Sequence, residues 1–440
     1  MDTERSVVPA ARDALVAACP VVRKGVPASD AVAGLVPSFV AFPASTDEAS
    51  ALLRVAAAHD LSVVPRGAGT GLGWGLPPVS CDLVIDLQAM DQVIEHAAGD
   101  LVARVQAGAT MGNLASVLSL AGQQLAVDAP ADATVGGVVA TGTAGPRRFR
   151  YGAPRDLLIG ITVVRADGVV AHSGGKVVKN VAGYDLGKLF AGSQGTLGLI
   201  TEVTFRLHPL PAAAAWVTGD FDPNVPSALA GAASAVASAA GSALVPSAVE
   251  LLWTGSPAVL RVGVLLEGTP SGVAERAKQM AELLAGAGAT VVATSETPFR
   301  WWQPEPGAPG TVVRVTFWVR QLAEVLGALA TAGVSTGIRP AVSGAAGAGV
   351  LYAWLDPGVA DEIAARFVRA LRDRLSGVFA GSADGTGLSR GGMAVLAAPT
   401  ALLAAAGAGQ PVPGLDLMRA VKDQFDPGHR MCPGRFPWGR

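Results

Sequence analysis

The stretch PRGAGTGLGWGLPP, Pro65–Pro78, places five glycines in nine positions between Gly67 and Gly75. Glycine is needed where backbone turns at positive φ or must come close to a ligand. A run of this kind can turn several N–H groups toward one anion. Two familiar phosphate loops are excluded by spacing. The Rossmann pattern G-x-G-x-x-G fails because Leu72 stands where the third glycine belongs, and Pro77 and Pro78 bar the helix such a loop must lead into. A Walker A run is absent as well. What remains is a phosphate cradle of another kind or a flexible turn.

The flanks show how the chain reaches this loop. Phe39–Phe42 is a short apolar strand stopped by Pro43. Ser45 and Glu48 have capping-box spacing and open a helix running to about His59, with Ala49, Leu52, Leu53 and Ala56 on one face. Leu61–Pro65 is the next strand, so a βαβ unit delivers the chain into the glycines. Beyond them, Leu83–Leu87, Val93–His96 and Leu101–Val105 alternate as strands, and Thr110–Leu120 reads as a helix.

A second small-residue stretch, ATVGGVVATGTAGPRR, spans Ala133–Arg148. Gly136, Gly137, Gly142 and Gly145 alternate there with Ala140, Thr141, Thr143 and Ala144, leaving little side-chain volume before whatever faces them. That suits a planar ligand or tight strand–helix packing. Arg147, Arg148, Arg150 and Arg155 follow; such a cluster can neutralise phosphates or sit on a solvated loop. Ile159–Arg165 and Val169–His172 form a hairpin turned at Asp167–Gly168. A third glycine-rich segment, Gly174–Pro211, ends in a strand at Leu199–Leu207.

The global numbers bound the function. A chain of 440 residues, half of them apolar and 15% charged, predicts two globular domains. A formal net charge of −2 points to neither nucleic acid nor an anionic membrane surface. Cys19, Cys81 and Cys432 form no C-x-x-C pair, which suits a reducing compartment and suggests neither a disulfide framework nor a metal knuckle. Charges break up the N-terminus before a signal-peptide core can form. The uncharged run Val225–Val249 is mostly Ala, Ser and Gly, a helix packed on a sheet and not a membrane span.

Three motifs in order resemble the PCMH-type FAD-binding domain of the vanillyl-alcohol-oxidase superfamily. Pro65-Arg66-Gly67-Ala68-Gly69-Thr70 resembles its pyrophosphate loop. Thr134 to Arg148, with Tyr151-Gly152 and Arg155-Asp156, resembles its T-[IV]-G-G…G-P-R-R block. Lys179 to Glu202 resembles its K-N-V-x-G-Y-D-L…G-T-L-G-[IV]-[IL]-T-E segment. At the C-terminus, Phe425-Asp426-Pro427 and Cys432-Pro433-Gly434-Arg435 resemble its closing F-D-P…N-P-G-[KR].

The resemblance implies a fold and a site. The fold would be α+β: a PCMH-type FAD-binding domain of two subdomains over residues 1–213, an α+β cap built on an antiparallel sheet over 214–400, and a segment at 401–440 returning to the first domain. Pro65 and the backbone N–H groups of Arg66, Gly67, Ala68, Gly69, Thr70, Gly71 and Leu72 would hold the FAD pyrophosphate. Thr134, Gly136, Gly137, Ala140 and Thr141 would line the path to the ring. Gly145, Tyr151 and Gly152 would lie near the isoalloxazine or ribityl chain, and Ile200 would offer backbone contacts. Thr70 stands where members with covalent flavin carry His, so the FAD would be non-covalent. Cys432 replaces the usual Asn of the closing segment.

Within the superfamily the chain resembles the FAD-binding E subunits of bacterial glycolate oxidases, through Gly145–Arg148, Lys179–Leu186, the cap stretch Phe299-Arg300-Trp301-Trp302-Gln303, and Val313-Arg314-Val315. That implies a cytoplasmic subunit, membrane-peripheral only through partners. It would carry electrons between a catalytic flavoprotein paralogue and an iron–sulfur subunit, in a complex oxidising a small 2-hydroxy acid. Stand-alone dehydrogenases of the superfamily carry H-x-G-D-G-N-x-H in the cap; the matching region here, Gly381–Arg390, has Asp384 and no His. The histidines are His59, His96, His172, His208 and His429, with no pair at ligand spacing, so no metal site is expected. Cap candidates for a base are Glu250, Glu267, Tyr352 and Asp384; Arg314 or Arg390 could pair with a substrate carboxylate. Each also suits an ordinary structural role. A self-sufficient FAD-dependent 2-hydroxy-acid dehydrogenase and a non-catalytic scaffold subunit stay open as alternatives.

Overall fold

The computed structural model describes residues 8–176, 184–255, 258–298, 310–380, 391–405 and 414–435. Lys179–Gly183 of the third motif, the stretch holding Trp301 and Trp302, and Gly381–Arg390 with Asp384 and Arg390 lie outside the described residues. The chain divides into two compact units: Met1–Thr143 with Ala153–Leu210 and Gly414–Arg440, and Ala144–Gly152 with Pro211–Pro413.

The first unit holds two sheets. One has four strands in the order Val22–Lys24, Phe39–Ala41, Leu83–Asp86, Val63–Arg66. The last three are mutually parallel, which requires crossovers, and Thr46–Ala58 supplies one of them. Ser45 starts that helix by accepting from the Glu48 N–H at 3.2 Å. The Glu48 carboxylate reaches one residue further back than a standard capping box, to the Ala44 N–H at 2.8 Å. Ala49, Leu52, Leu53 and Ala56 are buried, as their spacing predicts.

The other sheet has five antiparallel strands, ordered Val93–Ala97, Val102–Gln106, Leu199–Arg206, Leu158–Val164, Val170–Gly174. A bulge between Ile200 and Glu202 interrupts its central strand at Thr201. Thr201 accepts from the Thr46 hydroxyl at 3.1 Å, tying this sheet to the helix of the other. One apolar cluster draws side chains from both sheets.

The C-terminal segment closes on this unit through buried polar bonds. Lys422, 1% exposed, donates to Thr196 O at 2.7 Å, Met431 O at 3.0 Å and Asp426 Oδ2 at 2.5 Å. The chain then runs beside Val63, which donates to Arg430 O and accepts from the Cys432 N–H, both at 2.8 Å. Val421 and Phe425 pack against the core. Leu417, one turn earlier on the same helix, Leu415–Phe425, is 70% exposed, which corrects the expectation from its spacing that it shares the buried side with Val421 and Phe425.

The second unit is built on an eight-stranded antiparallel sheet, ordered Val291–Ser295, Ala213–Phe221, Ala258–Gly268, Ala248–Gly255, Ala341–Gly344, Val350–Leu355, Thr311–Phe317, Gly391–Ala397. Helices Ala228–Ala240, Pro270–Gly286, Leu322–Thr336 and Asp361–Ala380 share its core. The first of these buries Ala232, Ala235, Val236 and Ala239, small side chains that let helix and sheet approach closely. Among the described residues no helix is long and apolar enough to cross a membrane.

Candidate functional site

The strand Val63–Arg66 ends where the glycines begin, and its last residue anchors the loop. Arg66 Nε donates to Asp86 Oδ2 at 2.7 Å, and Nη2 to Asp30 Oδ1 at 3.1 Å. Both carboxylates are fully buried. The Arg23 guanidinium, bonded to Asp30, holds that carboxyl well below the usual carboxylate range, helped by the Val26 N–H at 2.8 Å. The Arg66 charge is therefore used inside the protein.

The loop itself leaves its N–H groups open. Gly69 and Gly75 take φ of 82° and 78°, a region L side chains rarely enter. Turn bonds run from the Leu72 N–H to Gly69 O and from the Trp74 N–H to Gly71 O, both 3.1 Å. Among the described residues no protein acceptor meets the N–H of Gly67, Ala68, Gly69, Thr70 or Gly71. Successive open N–H groups on one loop form an anion-binding concavity.

The facing wall is a short helix, Val135–Thr141, capped by Thr134, whose hydroxyl accepts from the Gly137 N–H at 3.3 Å. Its leading N–H groups are already satisfied: Val135 donates to Ala109 O and Gly136 to Ala107 O, both at 2.8 Å. This helix therefore offers shape, not donors. A Cβ on Gly136 would come within 2.6 Å of Ala107 Cβ, and one on Gly71 within 2.7 Å of Thr141 Cγ2. A third wall is tied on by the Gln194 N–H, which donates to Ala140 O at 2.7 Å.

These walls enclose a cleft of about 90 Å³. Of the residues singled out from sequence, Pro65, Arg66, Gly67, Gly69, Thr70, Gly71, Leu72, Gly136, Gly137, Ala140, Thr141 and Ile200 line it. Ala68 turns outward and is exposed, and Thr134 is buried behind Gly67. Gly145, Tyr151 and Gly152 belong to the second unit. There Tyr151 donates its hydroxyl to Glu267 Oε2 at 3.0 Å; burial, then the Glu267 charge, push the phenol pKa up. Sequence reading gave no site role to Gln194, Gly195 or Arg435, which also line the cleft. The available signal for Arg435 was its place in the closing motif.

The cap candidates lie in the second unit. Glu250 is buried on a central strand, and Glu267 is bonded as described. Arg314 stands directly across from Tyr352 on the neighbouring antiparallel strand. Burial lowers the Arg314 pKa, Tyr352 opposes that, and the charge of Arg148 lowers it further. Among the described residues no carboxylate pairs with Arg314.

Comparison with known proteins agrees with this geometry. Residues 37–174 match the family model described as FAD binding domain. The glycolate oxidase subunit GlcD of Bacillus subtilis (strain 168) is 33% identical over 177 residues, 40% of this chain and 38% of that protein. The probable mitochondrial D-lactate dehydrogenase of Danio rerio is 33% identical over 196 residues, 44% and 39% of the two chains. The D-2-hydroxyglutarate dehydrogenase of Stutzerimonas stutzeri (strain A1501) is 33% identical over 195 residues, 43% and 42%. The chain spans about two fifths of the length of these relatives. Among solved structures, p-cresol methylhydroxylase with substrate bound superposes with a TM-score of 0.73 at 16% identity, over 99% of this chain and 98% of that one. The 4-ethylphenol oxidase from Gulosibacter chungangensis gives 0.70 at 15% identity, over 99% and 98%. The fold is the PCMH-type FAD-binding fold, and FAD is its cofactor. The cleft suits that group: open N–H donors for a diphosphate on one wall, and a wall of small residues facing them.

Proposed function

We propose that this chain is the FAD-binding subunit of a multi-subunit 2-hydroxy-acid oxidase, a glycolate oxidase among them, relaying electrons between a catalytic flavoprotein paralogue and an iron–sulfur subunit. The observation that carries the subunit role is the distribution of imidazoles. All five histidines fall in the first unit, and the second, which would receive substrate, has none. An imidazole is the commonest side chain for taking a hydroxyl proton near neutral pH. The relatives named for oxidation of glycolate, D-lactate and D-2-hydroxyglutarate support the substrate class.

In this reading the N–H groups of Gly67–Gly71 bind the diphosphate, Gly136, Gly137, Ala140 and Thr141 exclude water along its path, and Ile200 contacts the cofactor through its backbone. Thr70 offers no nucleophilic nitrogen, so FAD is held without a covalent bond. FAD, when bound, supplies a two-electron acceptor that can release its electrons singly. The three free, buried cysteines suit a cytoplasmic protein, and any membrane contact is made through partners.

The second reading, a self-sufficient dehydrogenase, draws on Arg314. A guanidinium with no carboxylate partner among the described residues could hold a substrate carboxylate, and Tyr352 opposite it would have to act as its phenolate to accept the hydroxyl proton. Anaerobic spectra separate the readings. The flavin band of the purified chain is expected to bleach with glycolate or D-lactate only when the partner subunits are added. Bleaching by substrate alone overturns the relay role and establishes the dehydrogenase.

A further inference from the structure

We infer that Arg435 is an anion-binding residue of the glycine-lined cleft, supplying the full positive charge that its backbone donors lack and selecting ligands that carry a diphosphate. The inference rests on the flavin reading and assigns a residue to it. Among the described residues two cations line the cleft, Arg66 and Arg435, and no carboxylate does. Arg66 is neutralised by Asp86 and Asp30. Arg435 is 6% exposed and has no carboxylate partner among the described residues. Its Nη2 donates to Leu72 O at 2.7 Å and its Nη1 to Trp74 O at 3.3 Å, while Nε meets no acceptor. Those two carbonyls belong to the glycine loop, so the guanidinium is held against the segment whose N–H groups are open.

Among the described residues, the surroundings of Arg435 leave its charge uncompensated. Cys81 and Cys432 are its titratable neighbours. Burial pushes their thiols up to about 12 and about 11, so both are neutral at physiological pH. An unpaired buried cation is costly, and a counter-charge brought by a bound ligand offsets that cost. Guanidinium donors match phosphate oxygens in geometry as well as sign. A diphosphate seated on the N–H groups of Gly67–Gly71 supplies that counter-charge.

The test uses the full-length chain stripped of flavin, with FAD, ADP and riboflavin as probes. Wild type is expected to bind FAD, and ADP to compete for the site. Arg435→Gln should weaken both FAD and ADP by about tenfold to a hundredfold and flatten the salt dependence of binding. Arg435→Lys, which keeps the charge, should lose less. Riboflavin, which has no phosphate, should bind all three forms alike. Equal losses for riboflavin and FAD, or wild-type FAD affinity in both variants, would overturn the inference and leave Arg435 as a clasp on the loop. A wild-type chain that binds neither FAD nor ADP would instead overturn the flavin reading itself.

Discussion

The hydroxyl oxygen of Thr134 lies 2.0 Å from where a Cβ on Gly67 would stand, so the capping threonine fills the space the glycine leaves. Thr134 Cβ and Cγ2 follow at 2.9 Å. The first and second small-residue motifs are thus interlocked at one point, loop against helix cap.

Gly67→Ala must push Thr134 away or displace the loop. Overpacking of this kind costs about 1–3 kcal/mol, and FAD affinity should fall at least about tenfold as the N–H groups lose alignment. Thr134→Ala alone loses a cap, worth about 1 kcal/mol, yet opens room. The double variant should therefore be less destabilised than the sum of the singles, by about 0.5 kcal/mol or more. Urea unfolding of the four proteins measures this; strict additivity would show that the two residues do not share the space.

Arg66→Met should be more damaging than its place on a loop margin suggests. It leaves Asp30 and Asp86 buried, and removing one partner of a buried ion pair costs about 3–5 kcal/mol. The same network shapes acid stability. Asp30 titrates below the ordinary range chiefly because of Arg23. Its contribution is present above the unfolded carboxylate pKa and lost as pH falls through the folded one. Arg23→Gln should accordingly cost more stability at neutral pH than at pH ~3; an equal loss at both would remove Arg23 as the cause.

The glycine loop was legible because its information is local: alternation from Gly67 to Gly75 needs no partner to be noticed. The helix Val135–Thr141 was not, since two glycines and three valines make a poor helix on propensity. It forms because Thr134 caps it and Ala107 and Ala109 receive its first N–H groups. Arg435 was hidden by distance, its bond to Leu72 O spanning 363 positions. The segment Ala144–Gly152 follows its motif in sequence but packs with the other unit, where Phe149 lies 3.1 Å from the site of a Cβ on Gly347. Contiguity in the chain carries no signal for such an exchange.

The buried thiols predict alkaline behaviour. Cys81 and Cys432 ionise in the unfolded chain from about 9, but in the folded chain only near 12 and 11. Their raised pKa values stabilise the fold below the unfolded value, and that contribution is lost as pH rises toward the folded ones. Each thiol should subtract up to about 1.4 kcal/mol per pH unit over that window. Cys81→Ala should make the alkaline fall measurably shallower, and native protein at pH ~8 should resist iodoacetamide. Rapid alkylation without unfolding would refute the burial argument.

Arg314 is where the proposed substrate chemistry meets a stability measurement. It faces Tyr352 across the strand pair, feels the charge of Arg148, and has no carboxylate partner among the described residues. A desolvated charge near a like charge is a burden on the unliganded fold, and neutral side chains of similar volume are tolerated or preferred at such sites. Arg314→Met should leave thermal stability unchanged or raise it by about 1 kcal/mol. If Arg314 receives a small carboxylate, millimolar oxalate, an unreactive analogue of a 2-hydroxy acid, should raise the melting temperature of wild type and not that of the variant. FAD content should be equal in the two. A variant that is strongly destabilised would reveal a structural partner for the guanidinium and remove it as a carboxylate site. One that keeps the full oxalate shift would move the acid-binding site elsewhere and leave the self-sufficient dehydrogenase without its main support.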